Sequence, residues 1–181
     1  MLYPNPQNQY PKVSENSWVS ETAIIVGDVT IGDNVYVAHN AIIRADEPGS
    51  SIRIGDRCNV QDNVIIHSLS NSEVVIENNT SLAHGCIVHG PCTLGKGCFV
   101  GFGTVVFDCN IGDDVLLLHN STVRAVKIPS AKVVADGQVL TDQDDVENLK
   151  EITPDLMKFK SSVSNINVQL VDGYRNMAKE V

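Results

Sequence analysis

The 181-residue sequence predicts a mainly β fold, a parallel β-helix of hexapeptide repeats with one covering C-terminal α-helix. Three observations carry this reading. Valine and isoleucine outnumber leucine 40 to 11, and aromatic residues are only 5% of the chain, so β-branched side chains fill an interior with few large rings. Aliphatic residues recur at intervals of six, a step that fits a short strand plus a corner, with three steps closing one triangular coil. The spacing changes to a helical one only past Leu140.

The elements follow in chain order. Val19, Ile25, Ile31, Val37 and Ile43 form the first run, Ile54, Val60 and Ile66 the second, and Ile76, Leu82, Val88, Leu94, Val100 and Val106 the third. The register then slips by one residue to Ile111, Leu117 and Val123, and again to Ile128, Val134 and Leu140. Two longer intervals, Ile43 to Ile54 and Ile66 to Ile76, contain Pro48-Gly49-Ser50-Ser51 and Ser68 to Ser72, the composition of loops ejected from a coil. Glycines directly after the aliphatics, as in Ile54-Gly55 and Leu94-Gly95, fit corners where a side chain would crowd the turn. Two residues before each aliphatic is a second slot, which holds all five cysteines: Cys58, Cys86, Cys92, Cys98 and Cys109. They read as small hydrophobes in corners. Thr153-Pro154-Asp155 reads as a helix start. Leu156, Phe159, Val163, Ile166, Leu170 and Tyr174 then form the apolar stripe expected to pack along the β-helix, and Asp142 to Leu149 a short leading helix. The chain is expected to be one domain, 1–181, with the β-helix over about 13–140 and the helical segment over about 142–180.

Composition excludes several classes of function. A net charge of −9 disfavours nucleic acid, whose affinity comes largely from Lys and Arg on phosphates. No apolar stretch is long enough to insert in a membrane, and Met1-Leu2-Tyr3-Pro4-Asn5-Pro6 lacks a signal peptide's charged start and apolar run, so a soluble, cytoplasmic chain is expected. Five cysteines without a CxxC pair fit neither a disulfide framework nor a zinc ribbon.

Coil spacing converts sequence into position, because residues one coil apart lie about 4.8 Å apart on one face. If both loops bulge out, Val26, Arg44, His67, His89 and Phe107 form one column, and His39, Asp62, His84, Phe102 and His119 another. All five histidines fall in these two columns. His67 and His89 are then close enough to share a metal. His84 lies on another face and reaches them only from a second subunit, so three equal interfaces would close a cyclic trimer. His39 and His119 read as surface or interface residues. The three remaining histidines lie near Arg44, Asp46, Glu47, Asn59, Gln61 and Asp62, more convergent polar chemistry than a structural coil needs.

Three ordered motifs carry a family resemblance: Ile43-Arg44-Ala45-Asp46-Glu47, Asn59-Val60-Gln61-Asp62-Asn63 through His67, and Ser81-Leu82-Ala83-His84-Gly85-Cys86-Ile87-Val88-His89-Gly90-Pro91. They resemble the γ-class carbonic anhydrases, and the similarity extends to Asn167-Val168-Gln169-Leu170-Val171-Asp172-Gly173-Tyr174. The resemblance implies a left-handed β-helix and a homotrimer with sites between subunits. There His67 and His89 of one chain and His84 of another would hold Zn2+, or alternatively Fe2+ or Co2+. The implied activity is reversible hydration of CO2 to bicarbonate by a metal hydroxide, with Gln61 as the hydroxide's hydrogen-bond partner and Glu47 as the local proton acceptor. Arg44 and Asp46 match a pair that bridges subunits, while Asn59, Asp62 and Asn167 match supporting positions.

One segment departs from the family pattern. Ser68-Leu69-Ser70-Asn71-Ser72 contains no acid before Glu73, where the best-studied version carries a longer acidic loop with a proton-shuttling glutamate. Two other functions share the hexapeptide repeat. An acyltransferase would use one histidine as general base beside a basic cleft, which suits this acidic chain poorly. A carbonic-anhydrase-like scaffold with little activity would need none of the three histidines.

Overall fold

The computed structural model describes residues 1–177. Three faces of short parallel strands wind into a β-helix of about seven turns. The first face contains Leu2–Tyr3, Ile24–Gly27, Ile42–Ala45, Ile65–His67 and the opening residues of Ile87–Leu94 and Val105–Ile111. It continues through Thr122–Arg124 to Val139–Leu140. The second carries Lys12–Val13, Val29–Ile31, Ser51–Ile54, Glu73–Ile76 and Lys127–Ile128, together with the closing residues of the two long strands. The third runs from Trp18–Val19 through Tyr36–Val37, Asn59–Val60, Ser81–Leu82, Phe99–Val100 and Leu116–Leu117 to Lys132–Val134.

The aliphatic ladder is in register. Val13, Ile31, Ile54, Ile76, Leu94, Ile111 and Ile128 are successive partners on the second face. The two long intervals are therefore absorbed by loops, which bulge side by side: Asn71 N donates to Pro48 O at 2.9 Å and Ser51 N to Ser72 O at 3.1 Å. Alternation along each strand turns the aliphatics inward, where Ile25, Ile43, Val60, Ile66, Leu82, Val88, Leu94 and Val100 are fully buried. Each such side chain contributes roughly 1.5–3 kcal/mol relative to an exposed one. The cysteine slot is buried as well, and all five thiols are free. Burial pushes Cys58, Cys86, Cys92 and Cys98 up to about 12, which makes them inert packing groups.

The residues after the aliphatics sit where the next coil leaves no room. A Cβ on Gly95 would lie 2.6 Å from the Gly112 carbonyl carbon. The left-handed corner positions themselves are held mostly by Asn and Asp, including Asn34, Asn40, Asn63, Asn79, Asp114 and Asn120.

The chain ends add three features to the hexads. Leu2–Tyr3 extends the first face by pairing with Ile24–Gly27, before the expected start near residue 13. The leading segment is a 3-10 helix, Gln143–Asn148, capped by the Asp142 side chain. The helix Pro154–Met177 starts at the expected proline and packs Leu156, Val163 and Tyr174 of its expected stripe on the β-helix, with Phe159 edge-on to Phe99. Its buried residues are Lys160, Asn167 and Val171, while Phe159, Ile166 and Leu170 are exposed. Polar anchors add to this packing: the Lys160 ammonium donates to Gly97 O at 2.7 Å and pairs with Asp114, and Asn167 bonds Gln61. Trp18 stacks on Tyr36 and Tyr174 at 5.1 and 4.2 Å and pins the far end. Residues 178–180 of the expected helical segment lie outside the described residues.

Candidate functional site

Both histidine columns are present in the strand register. Arg44, His67, His89 and Phe107 are successive partners on the first face, each directly following a buried aliphatic and therefore pointing outward. His39, Asp62, His84, Phe102 and His119 stack along a corner, where His84 rests on Phe102 at 5.5 Å and Phe102 on His119 at 4.3 Å. One chain therefore carries two separate clusters.

The first-face cluster centres on His67 and His89, whose Nδ1 and Nε2 atoms are 3.1 Å apart. His67 Nε2 faces Asp46 Oδ1 at 3.4 Å, Glu47 Oε1 at 3.6 Å and Arg44 Nη2 at 3.4 Å. Arg44 Nε in turn pairs with Asp46 Oδ2 at 3.2 Å. Asp46 Oδ1 is buried without a hydrogen-bond partner. Glu47 is held by the neighbouring loop, its Oε2 accepting from Ser70 N at 2.7 Å and Ser70 Oγ at 2.6 Å. These two bonds lower the Glu47 pKa below its ordinary value and keep it a carboxylate.

The corner cluster is built around the helix. Gln61 Nε2 donates to Asn167 Oδ1 at 2.5 Å and to Asn59 Oδ1 at 3.3 Å, and Asn59 Nδ2 donates to Ser81 Oγ at 2.6 Å. His84 Nδ1 lies 3.0 Å from Asp62 Oδ2. A cavity of about 260 Å3 joins these groups, with Asn59, Gln61, His84 and Asn167 facing Ala83, Phe99, Phe102, Phe159 and Ile166. A second cleft of about 290 Å3 on the other side of Ser81 is lined mainly by polar residues, and one of its two lysines, Lys160, is already satisfied by Gly97 and Asp114.

The first-face residues fit a metal ion. His89 Nδ1–H donates to Gly90 O at 3.1 Å, which leaves Nε2 a bare acceptor. Arg44 Nη2 can only donate, so His67 Nε2 accepts from it and His67 Nδ1–H turns to His89 Nε2. A cation in place of that shared proton would meet one nitrogen of each ring. Two ligand nitrogens at Zn–N distances of 2.0–2.1 Å in a tetrahedral shell are about 3.3 Å apart, close to the 3.1 Å seen here. Among the described residues, no three His, Cys, Asp or Glu groups of one chain come together in a set able to hold a metal.

The remaining histidines have other roles. His119 Nδ1 accepts from Phe102 N at 3.0 Å, and His119 N donates to Asp136 Oδ1 at 2.8 Å, so this residue belongs to a corner hydrogen-bond ladder. His39 N donates to Asp62 Oδ1 at 3.2 Å in the same ladder. Sequence reasoning missed Ser70, Ser81 and the Gly90 carbonyl. Their partners depend on loop and corner conformation, and a serine in a serine-rich loop carries no spacing signal.

Comparison with known proteins agrees with this fold. The family model "Bacterial transferase hexapeptide (six repeats)" matches residues 10–45 and 73–107. A carbonic anhydrase of Methanosarcina thermophila is 35% identical over 94% of this chain and 77% of its own length. The carboxysome assembly protein CcmM of Nostoc sp. is 34% identical over 90% of the chain, which spans 31% of that protein. A crystal structure of a hexapeptide transferase family protein from Anaplasma phagocytophilum superposes with a TM-score of 0.84 at 25% identity, covering 96% of this chain and 98% of that one. With its three motifs, the last two holding His67, His84 and His89, carried on a hexapeptide β-helix, and with that identity over nearly its whole length, the chain belongs to the γ-class carbonic anhydrase family.

Proposed function

We propose that the protein is a γ-class carbonic anhydrase, interconverting CO2 and bicarbonate at sites shared between the subunits of a cytoplasmic homotrimer. The observation that carries this reading is the split of the site residues into two incomplete clusters. His67 and His89 stand together on one face, while His84, Gln61 and Asn167 stand on another, so packing one cluster of each chain on the other cluster of its neighbour completes a three-histidine site. His67, His89 and the partner's copy of the His84 position would hold Zn2+, or Fe2+ or Co2+, all of which imidazole suits. When bound, such an ion supplies Lewis acidity that brings the pKa of water from about 15.7 to about 7.

The chain's own residues have definite tasks in this reaction. Gln61 spends its amide N–H groups on Asn167 and Asn59, so its Oε1 is free to accept from the attacking hydroxide and orient it. The apolar walls of the adjoining cavity, Ala83, Phe99, Phe102, Phe159 and Ile166, suit a small uncharged substrate. Glu47 Oε1, 3.6 Å from His67 Nε2, is the local proton acceptor. Arg44 and Asp46 hold each other at the edge of the first-face cluster and serve the subunit contact.

The similarity to CcmM, a carboxysome assembly protein, supports a second reading as a scaffold of the same fold. Stopped-flow CO2 hydration by the metal-loaded protein at several buffer concentrations separates the two. The enzyme reading expects a rate that rises with buffer and is lost in His84→Ala. No rate above that variant, with zinc or with anaerobic iron, contradicts it.

A further inference from the structure

The directions of the hydrogen bonds around Gln61 follow from one backbone carbonyl. Asn167 Nδ2 lies 2.8 Å from Val163 O on its own helix, and a carbonyl only accepts. Asn167 therefore turns its amide nitrogen to the helix and its Oδ1 to Gln61, whose Nε2 donates to it at 2.5 Å. The second N–H of that Nε2 goes to Asn59 Oδ1 at 3.3 Å. With its oxygen so placed, Asn59 presents Nδ2 to Ser81 Oγ at 2.6 Å. Ser81 is the acceptor at the end of this series.

Its own hydroxyl proton is left over. Ser81 is 3% exposed, and among the described residues no acceptor takes that proton. The strand partners of Ser81 close two directions, Asn59 on the preceding coil with a donor and Phe99 on the following one with an apolar ring. The open directions lead into the gap under the helix, where Ser81 lines both the cavity of about 260 Å3 around Gln61 and His84 and the cleft of about 290 Å3 beyond it. A buried donor left unmet is unfavourable, so an oxygen from outside the chain completes this one.

We infer that Ser81 is a substrate-binding residue, its O–H donating to an oxygen of bicarbonate held in the cavity beside Gln61. The two side chains complement that ion. Gln61 Oε1 only accepts, and bicarbonate has one O–H to give, while the remaining bicarbonate oxygens accept from a donor such as the Ser81 hydroxyl. The choice of bicarbonate rests on the carbonic anhydrase reading, whereas the uncommitted donor does not.

The test compares wild type, Ser81→Ala and Ser81→Thr of matched circular dichroism and molar mass. Bicarbonate dehydration is followed with the metal-loaded proteins, and broadening of the 13C-bicarbonate resonance with the metal-free ones. Ser81→Ala should raise the KM for bicarbonate roughly tenfold or more, as expected for a lost hydrogen bond to an ion. Its kcat should stay within about twofold, because the bond is made alike in ground and transition states. Ser81→Thr keeps the hydroxyl, has cavity on both sides for its methyl, and should restore the wild-type KM. Should Ser81→Ala fold poorly, Ser81→Cys, whose thiol is only a weak donor, carries the same expectation. An unchanged KM means that water alone meets the hydroxyl, and a fall in kcat at constant KM means that Ser81 only orients Gln61 through Asn59; either result overturns the inference. A wild type without turnover contradicts the enzyme reading, and the 13C signal then decides on Ser81 by itself. Broadening by wild type and Ser81→Thr but not by Ser81→Ala upholds the site, and any other pattern overturns it.

Discussion

His67 Nδ1 and His89 Nε2 face each other across 3.1 Å because the buried residues that precede them, Ile66 and Val88, are direct partners on adjacent coils. The candidate site is therefore a by-product of core register. Any change that shifts one coil against the next separates the two ring nitrogens, so fold and proposed chemistry share the same aliphatic ladder.

Glu47 is tied to the loop that lacks an acid. Its folded pKa lies below the ordinary value of 4.5, first through the Ser70 hydroxyl and then through the Ser70 amide. A depressed carboxylate stabilises the folded state above the unfolded pKa and loses that contribution as pH falls through the folded one. Ser70→Ala, which removes the hydroxyl bond, should therefore be less stable than wild type near pH 7 and converge with it in acid. Urea unfolding at both pH values measures this, and a constant gap contradicts it.

The stack of Trp18, Tyr36 and Tyr174 joins the helix to the first coils. Tyr174→Ala should cost roughly 2–4 kcal/mol, from lost burial plus two aromatic contacts. Denaturant unfolding with Trp18 emission reports both the energy and the exposure of the indole. A loss under about 0.5 kcal/mol with unchanged emission would mean the stack does not anchor the helix.

Gly27 closes the first-face strand Ile24–Gly27 with φ of 84°, and a Cβ there would overlap the carbonyl group of its strand partner Ala45. Neither the backbone angle nor the contact tolerates a side chain. Gly27→Ala should lower stability by about 3 kcal/mol or more in thermal unfolding. A change within about 0.5 kcal/mol would show that the coil yields there.

The hexads made most of this legible. Val19 to Leu140 follow a rule in which each aliphatic points inward, and the loops and register slips could be placed because turn composition interrupts that rule at Pro48–Ser51 and Ser68–Ser72. The histidine columns followed from the same counting. What escaped depends on contacts without a period. The final helix packs part of its apolar stripe as expected, but its polar anchors, Lys160 and Asn167 meeting Asp114 and Gln61, had no signal in that stripe. Likewise the Ser70 clamp on Glu47 and the start of the first face at Leu2–Tyr3 need three-dimensional neighbours to be seen.

Subunit complementation tests the central claim, that each metal site takes His67 and His89 from one chain and His84 from the next. His84→Ala and His89→Ala are prepared separately, mixed under unfolding conditions and refolded together. Each variant alone should bind almost no zinc and hydrate no CO2. Every mixed trimer has one of its three interfaces joining an intact His67–His89 pair to an intact His84, so zinc and activity should return to about one site in three of the mixed trimers, about one in four of all sites after random equimolar assembly. Mixed trimers that stay as empty and inactive as the parent variants would contradict the shared site.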